Sequence, residues 1–399
     1  MKRFLVALLS VPALASAQTE DTTVEKKKDD AWYKRINLRG YVQIRYNRLL
    51  ETNPKLKCDQ CDKSMGSNGG LFLRRARLVL SGQLNNNIYF YFQPDFASAA
   101  SSDDLHFGQI RDAYIDLSFD KKREYRLRIG QSKIPYGFEC MQSSSNRLPL
   151  DRSDGMNSAF VNERDMGAFF YYAPDKIRKR FAWLVSEGLK GSGDYGVAAF
   201  GVFNGQGANR PEKNDQMHVV GRISYPFEWK GQIIEAGIQA YTGMYTLTDR
   251  HLSEKVKIAE HRTLEDKRIG TSFILYPQPW GLQAEYNWGR GPQYNKAYDS
   301  IMSHKLQGGY VMGSYRKKIG DQVVIPFTRF HYYDGGKKFE QDARSYLVRE
   351  WELGVEWQPV KYFELVAMYT ISQRRTADYE KESNAQSGNL LRLQAQLNF

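Results

Sequence analysis

The sequence predicts an all-β fold, a transmembrane antiparallel β-barrel of about sixteen strands. Three observations support this: an export signal at the N-terminus, no later apolar stretch near the roughly 20 residues that a membrane helix needs, and segments of alternating polarity joined in turn by long loops and short turns. Closed barrels are the alternative to helices in lipid because they pair every backbone polar group. We therefore expect short periplasmic turns and long extracellular loops.

The first residues carry the three parts of a secretory signal. Lys2 and Arg3 are positive, residues 4–11 are apolar, and Ala15-Ser16-Ala17 is a small-residue cleavage site. The apolar run is too short to cross a bilayer as a helix. We predict three regions: a signal peptide at 1–17, a solvated periplasmic tail at 18–35, and the outer-membrane barrel at 36–399.

Alternation of apolar and polar residues marks the strands, since successive side chains of a strand point to opposite faces. The predicted strands are residues 36–47, 72–84, 88–96, 108–119, 124–132, 165–173, 195–204, 217–226, 232–243, 267–276, 281–289, 304–317, 322–333, 345–357, 361–374 and 388–399. A further strand at 181–187 would make the total odd, which is unusual for a bacterial barrel. We instead expect Pro174 to Gly188 to form a short amphipathic helix or an elaborated turn on the periplasmic side.

Composition and charge fit an exported barrel. Aromatic residues make up 14% of the chain, yet its mean hydropathy is −0.60. Aromatic girdles around a polar lumen would produce this combination. The net charge is +12, or +10 once Lys2 and Arg3 leave with the signal. A basic excess attracts anions or nucleic acid, and export argues against nucleic acid as the partner.

The last strand shows the alternation most clearly. One face carries Leu391, Leu393, Ala395, Leu397 and Phe399, and the other carries Arg392, Gln394, Gln396 and Asn398. We expect the apolar face to meet lipid and the polar face to meet a wet lumen. Outer-membrane barrels resemble one another in ending on such an aromatic residue, so Phe399 is the expected signal for the barrel assembly machinery.

The same alternation places arginines inside the barrel. An arginine that faces lipid costs about 2–4 kcal/mol at the bilayer midplane, so arginines of the early strands should line the lumen. The predicted pore-lining residues of an anion path are Arg39, Arg45, Arg75, Arg77, Arg126 and Arg128. Asp95, Asp112 and Asp116 share their face, so part of this charge should be paired. We expect a net positive stripe on the lumen wall.

Five short motifs occur in order along the chain: Arg74–Leu78 (RRARL), Arg128–Gly137 (RIGQSKIPYG), Glu163–Gly167 (ERDMG), Gly201–Gly205 (GVFNG) and Tyr332–Gly336 (YYDGG). Together they resemble the phosphate-selective porin O and P family of Gram-negative outer membranes. Their order agrees with the strand count over roughly residues 36–399. The resemblance implies a sixteen-stranded passive channel, often a homotrimer, whose third loop folds into the barrel and narrows it.

The predicted constriction is this third loop, residues 133–164. Its basic residues are Lys133, Arg147, Arg152 and Arg164, and carboxylates in and beside it are Glu139, Asp151, Asp154, Glu163 and Asp165. Phosphate-selective members of the family carry a cluster of lysines there, whereas this loop has one. Arginine also binds phosphate through its planar fork. We therefore expect a preference for anions and leave selectivity for phosphate open.

The expected function is a porin that passes small anions, with phosphate as one candidate, through the outer membrane of a Gram-negative bacterium. Its expected partners are outer-membrane lipid, lipopolysaccharide, small anionic solutes, the assembly machinery and two further copies in a homotrimer. The alternative is a structural or scaffold barrel in a surface or secretion complex. An enzyme is not expected, because the six histidines are dispersed and no hydrolytic constellation is present.

No cofactor or metal motif stands out in the sequence. Residues 191–196 match GxGxxG but precede a strand instead of opening a helix, which argues against a dinucleotide site. Cys58 and Cys61 form a CxxC in the first long loop, where a zinc site would need two more ligands. Export favours a local disulfide between them. Cys140 is an alternative partner, and one cysteine is left over.

Overall fold

The computed structural model describes residues 32–48, 70–97, 107–258 and 262–399, and in it sixteen long antiparallel strands form one closed sheet. The strands are β1 (Ile36–Arg48), β2 (Gly70–Gln83), β3 (Ile88–Asp95), β4 (Gln109–Ser118), β5 (Tyr125–Lys133), β6 (Arg164–Tyr172), β7 (Ala198–Phe203), β8 (His218–Trp229), β9 (Gln232–Thr246), β10 (Thr263–Leu275), β11 (Trp280–Asn295), β12 (Ser300–Tyr315), β13 (Gln322–Gly336), β14 (Ser345–Val360), β15 (Phe363–Ala377) and β16 (Asn384–Asn398). The α-helices are α1 (Phe138–Met141), α2 (Asp154–Asn157) and α3 (Asp175–Ser186), and two short strands, Lys257–Ile258 and Lys317–Ile319, pair with β12 and β13.

Pairing between the first and last strands closes the barrel. Ile44 of β1 lies opposite Ala395 of β16. Gly40 and Phe399 exchange two backbone hydrogen bonds, with N–O distances of 2.7 and 3.0 Å. Closure gives each strand of the described sheet a neighbour on both sides, the arrangement that lipid requires. The predicted fold class and strand count are confirmed, and the predicted strand ends differ from the observed ones by a few residues.

Short hairpin turns stand at the end of the barrel where β1 starts and β16 finishes. The β8–β9 turn consists of Lys230 and Gly231, with φ of +50° and +77°. A two-residue hairpin turn with both residues left-handed matches the twist of the flanking strands. In the β2–β3 turn the Asn85 side chain accepts the backbone N–H groups of Asn87 and Ile88, both at 2.9 Å. These turns supply the short-turn side that the sequence predicts.

A helix replaces a short turn between β6 and β7. Pro174 immediately precedes α3, and Gly188 follows it with φ of +67°. Ile177, Phe181 and Leu184 lie on one face of the helix and are buried. The predicted amphipathic helix is confirmed and the alternative strand at 181–187 is wrong, because these three apolar residues recur at helical spacing.

The faces of the strands follow the predicted alternation. On β16 and just beyond it, Leu397 and Phe399 are 50% and 55% exposed, while Arg392 and Gln396 are 1% and 2% exposed. Every second side chain therefore points out of the barrel and its neighbours point into the lumen. Among the described residues, no helix is long and apolar enough to cross a membrane.

Candidate functional site

The third loop, residues 134–163, folds into the lumen and reaches the opposite wall. Arg268 of β10 and Asn287 of β11 both donate to the Gly155 carbonyl, at 3.2 and 3.0 Å. Gly155 also presses against β12, where an added Cβ would lie 2.7 Å from the backbone of Gly308. The loop therefore crosses the inside of the barrel, which is the position that the sequence resemblance implies.

An apolar cluster holds the loop against one side of the lumen. Its loop members are Ile134, Tyr136, Cys140, Leu148, Leu150, Met156, Ala159 and Phe160, and its wall members are Phe169, Tyr171, Ala199, Phe203, Val220, Tyr241, Tyr310, Met312, Ile325, Phe327, Val366 and Met368. Burying a large apolar side chain contributes about 1.5–3 kcal/mol. The wall members belong to β6–β9, β12, β13 and β15, so the loop fills that side and leaves open the part of the β1–β5 wall that lies toward the short turns.

Asp151 clamps the tip of the loop to the seam of the barrel. Its carboxylate lies 3.1 Å from Arg45 of β1 and 3.7 Å from Arg74 of β2, and it also binds Arg392 of β16. Burial alone would raise the pKa of Asp151, but Arg45, Arg392 and Arg74 outweigh it and hold that pKa well below its usual range. The carboxylate therefore stays charged under ordinary conditions.

A second ionic cluster anchors α2. Asp154 lies 2.6 Å from Lys337 and 3.0 Å from Arg374, and Arg374 also lies 2.7 Å from Glu350. Asp154, His331 and Glu350 place ligand atoms within 4.8 Å of one another, a spacing that could hold a metal ion. Since two cationic side chains already neutralise these carboxylates, the arrangement fits an ionic anchor better than a metal site.

The four predicted constriction cations mainly hold the loop's own fold. Two of them donate to carbonyls of the loop: Lys133 to Met141 and Gln142 at 2.7 and 2.8 Å, and Arg147 to Leu150 at 2.9 Å. The other two pair with carboxylates: Arg152 lies 2.8 Å from Glu163, and Arg164 lies 2.9 Å from Asp112. All four are buried. They therefore do not form a free basic cluster of the kind that phosphate-selective members carry.

A cavity of about 440 Å³ remains on the open side of the lumen. It lies between β1–β6, the underside of the third loop, and α3. Its lining residues are Arg39, Arg77, Gln83, Tyr89, Tyr91, Gln93, Asp112, Tyr114, Asp116, Arg123, Arg126, Arg128, Lys133, Met141, Ser143, Arg164, Arg178, Ala182, Ser192, Gly193, Asp194 and Tyr195. Eight cationic side chains thus face three carboxylates, and we call this space the basic cavity.

Four of the six predicted pore-lining arginines, Arg39, Arg77, Arg126 and Arg128, border the basic cavity. Arg45 and Arg75 have the predicted lumen orientation but lie elsewhere: Arg45 is fully buried against Asp151, and Arg75 donates to Gln43 at 2.8 Å. Gln43 in turn donates to the Ser144 carbonyl of the third loop. The loop therefore covers this part of the wall, and Arg45 and Arg75 do not line the cavity.

Most of the cavity arginines are paired with carboxylates, as the shared face of these residues predicts. Arg77 lies 2.7 Å from Asp95, Arg128 lies 2.7 Å from Asp116, and Arg126 and Arg178 share Asp194 at 2.8 Å each. Arg39 and Arg123 differ, since neither makes an ion pair with any residue of the described ranges. The exposed positive charge of the cavity therefore centres on the part bordered by these two residues.

Four tyrosines, which were not predicted from the sequence, also line the cavity. Tyr89, Tyr91, Tyr114 and Tyr195 all border it. The rings of Tyr91 and Tyr114 are stacked, with centroids 5.0 Å apart and an angle of 9° between planes. The Arg128 guanidinium stands 3.8 Å from the centroid of Tyr114. The sequence feature that indicates Tyr89 and Tyr91 is the alternation along β3, because both lie on the same inward face as Asp95.

Helix α3 lies across the mouth of the barrel on the short-turn side. Arg178 donates to the Lys122 carbonyl in the β4–β5 turn at 3.0 Å, and Arg180 donates to the Pro226 carbonyl of β8 at 2.8 Å. Beyond the end of the helix, the Glu187 carbonyl accepts from Arg316, after β12, at 3.0 Å. The helix thus touches three separate points of the rim and narrows the exit of the basic cavity.

The cysteine and assembly-signal predictions have different outcomes. Cys58 and Cys61 lie outside the described residues. Cys140 is a free, buried thiol in the third loop, with Sγ 3.5 Å from the Met156 carbonyl, and burial raises its pKa. Phe399 pairs with β1 through its backbone and exposes its ring on the outer face, and its role in assembly stays a prediction.

Comparisons with known proteins agree with this geometry. The family model described as phosphate-selective porin O and P matches residues 56–399. The outer membrane channel DcaP of Acinetobacter baumannii has a TM-score of 0.57 at 16% identity, over 91% of this chain and 97% of that one. The anion-selective porin from Comamonas acidovorans has 0.52 at 12% identity, over 91% and 99%.

The trimer form of in-vitro folded OmpT of Vibrio cholerae has a TM-score of 0.51 at 10% identity, over 91% of this chain and 99% of that one. At these identities the solved structures support the fold alone. A search of curated proteins gave no match. The family model covers most of the chain. The chain therefore belongs to the phosphate-selective porin O and P family and is a channel protein of the Gram-negative outer membrane.

Proposed function

We propose that the protein is a passive porin that prefers small anions. The observation that carries this proposal is the basic cavity, where eight cationic side chains face three carboxylates. A cleft of one charge sign raises the local concentration of counter-ions. The fold of an anion-selective porin from Comamonas acidovorans is similar. Solute would pass between the third loop and the wall of β1–β5 and leave beside α3.

The pairing of the cavity arginines with carboxylates suits the passage of an anion better than its tight binding. Arg77 and Arg128 each hold a carboxylate at 2.7 Å, so a passing anion competes with a partner that is already bound. Conduction requires binding that is weak enough for release. Arg39 and Arg123, which lack such partners among the described residues, would supply most of the attraction.

Phosphate stays one candidate solute among small anions. Arginine can bind its oxygens in pairs. The four cations of the third loop, however, are committed to carbonyls and carboxylates of this chain. We therefore propose a general preference for anions over a dedicated phosphate site.

For assembly we propose a homotrimer surrounded by outer-membrane lipid and lipopolysaccharide. The support is the similar fold of OmpT from Vibrio cholerae, which is described in a trimer form. We further propose that Phe399, exposed on the outer face of the closing strand, is read by the barrel assembly machinery during insertion.

The test is the reversal potential of the purified full chain in a planar bilayer under a KCl gradient. We expect a potential of the sign set by chloride, and a smaller one for Arg39→Gln. Arg349→Gln is the matched control, because Arg349 is exposed outside the lumen on β14. A potential of the sign set by potassium would overturn the proposal. A barrel without conductance that co-purifies with large partners would instead support the scaffold alternative.

A further inference from the structure

We propose that the basic cavity binds organic anions that carry a planar ring. The anionic group would meet Arg39, and the ring would lie against the stacked pair Tyr91 and Tyr114. This inference rests on the proposed anion preference and adds the class of solute.

The available cation is Arg39. The buried arginines Arg77, Arg128 and Arg164 each lie within 3.0 Å of a carboxylate, so their charge is already compensated. Arg39 is exposed, and its guanidinium makes no hydrogen bond or ion pair in the described part of the chain. Its guanidinium stands 6.0 Å from the centroid of Tyr91. An entering carboxylate would therefore find its free partner directly beside an aromatic ring.

Two neighbouring strands supply the aromatic contact, which consists of the ring edges of the stacked pair and the face of Tyr91 on the Arg39 side, since Arg128 lies over Tyr114. Tyr91 of β3 and Tyr114 of β4 are directly paired in register, and their rings are nearly parallel. Both are only partly buried, and both border the basic cavity together with Tyr89 and Tyr195. Aromatic rings prefer offset-stacked or edge-to-face contact with other rings. A compact inorganic anion would make no use of this surface.

The size of the cavity also fits. Small-molecule sites typically occupy about 300–1,000 Å³ and combine apolar or aromatic walls with a few placed polar groups. The basic cavity, at about 440 Å³, lies in this range. A single-ring carboxylate such as benzoate would enter it with room for water.

Three probes separate the contributions of ring and charge. Benzoate carries both, cyclohexanecarboxylate has the same charge and nearly the same size without aromaticity, and benzamide has the ring without the charge. Each is titrated against the chloride current of the full chain in a planar bilayer. We expect half-block by benzoate at a concentration about two- to tenfold lower than by cyclohexanecarboxylate, and weaker block by benzamide than by either anion.

Variants locate the effect. Tyr91→Leu should bring the benzoate and cyclohexanecarboxylate values together, whereas Arg39→Gln should weaken block by both. Tyr225→Leu is the matched control, because Tyr225 is 50% exposed on the outer face of β8, and it should keep the wild-type ratio. Heat-modifiable gel mobility verifies that each variant is a folded barrel.

Equal block of the wild-type channel by benzoate and cyclohexanecarboxylate would overturn this inference without any variant. A wild-type preference that Tyr91→Leu and Tyr114→Leu both leave unchanged would also overturn it. Failure of the proposed function is distinguishable, since it appears in the reversal potential. An anion-preferring channel without ring discrimination would retain the function and remove only the solute class.

Discussion

Asp151→Asn should loosen the third loop inside the barrel. In the wild type this carboxylate joins the loop to Arg45, Arg74 and Arg392 at the seam of β1, β2 and β16. Breaking a buried ion pair by removing one partner costs about 3–5 kcal/mol. Asparagine keeps one acceptor oxygen. We therefore expect the closed position of the loop to lose about 1.5–3 kcal/mol of stability, the contribution of a hydrogen bond to a charged group.

This loss sets the expected change in loop opening. Every 1.4 kcal/mol is about tenfold in an equilibrium constant. The equilibrium between the closed and open positions of the third loop should therefore shift about 10- to 100-fold toward brief opening. The apolar cluster around Phe160 would still hold the loop closed most of the time. Single-channel recordings would show the change as more frequent steps to a higher conductance, with the main level unchanged.

Two variants control the experiment. Asp151→Glu should restore much of the wild-type behaviour because it keeps the charge. Glu382→Gln removes a carboxylate that is 71% exposed and pairs with Lys296 outside the barrel, and it should change nothing. Step frequencies for Asp151→Asn within twofold of the wild type would refute the role of this ion pair as the anchor of the loop.

The pH dependence of the wild type is a second readout of the same clamp. Neighbouring arginines hold the folded pKa of Asp151 far below its usual value of 3.8, against the raising effect of burial. A group with a depressed folded pKa stabilises above its unfolded pKa and loses that contribution as the pH falls through the folded value. Opening steps should therefore be equally rare at about pH 7 and about pH 5, and a clear rise at about pH 5 would contradict the pairing.

Four further outcomes are expected. Asp194→Asn, which removes the carboxylate shared by two cavity arginines, should raise the chloride-to-potassium permeability ratio about twofold. Asp175→Asn should not, because the Asp175 carboxylate pairs with Lys179 on α3 and does not border the basic cavity. Replacing residues 175–187 by a short Gly-Ser turn should raise single-channel conductance, and an unchanged value would deny α3 a role at the mouth. Phe399→Ser should lower the amount of heat-modifiable barrel while export continues. N-terminal sequencing of the mature protein should begin at Gln18, and any later start would move the predicted signal cleavage.

Local patterns were sufficient to predict most of the barrel. Alternation identified sixteen strands and their inward faces, because neighbouring side chains of a strand must point to opposite sides. Pro174 and Gly188 predicted a short amphipathic helix or an elaborated turn, and the structure shows the helix α3 with Ile177, Phe181 and Leu184 buried on one face. These features depend on residues that are close together in the sequence.

The functional assignment of single residues was less predictable. Arg45 and Arg39 have the same parity on β1, yet Arg45 is sealed against Asp151 and Arg39 is open to the basic cavity. The four cations of the third loop were identified by position, but their carbonyl and carboxylate partners were not. Tyr91 and Tyr114 were missed because their stacking joins two strands.

The sequence by itself determined the class of fold, the number of strands, the face of each side chain and the surplus of positive charge. Only the tertiary structure decided which charges are neutralised, where the third loop rests and which part of the lumen stays open. The physical reason is distance along the chain: Asp151 and Arg392, or Glu187 and Arg316, meet only after the barrel closes. After closure, part of the basic stripe is paired with carboxylates of the third loop and the wall, and the rest borders the basic cavity together with tyrosines.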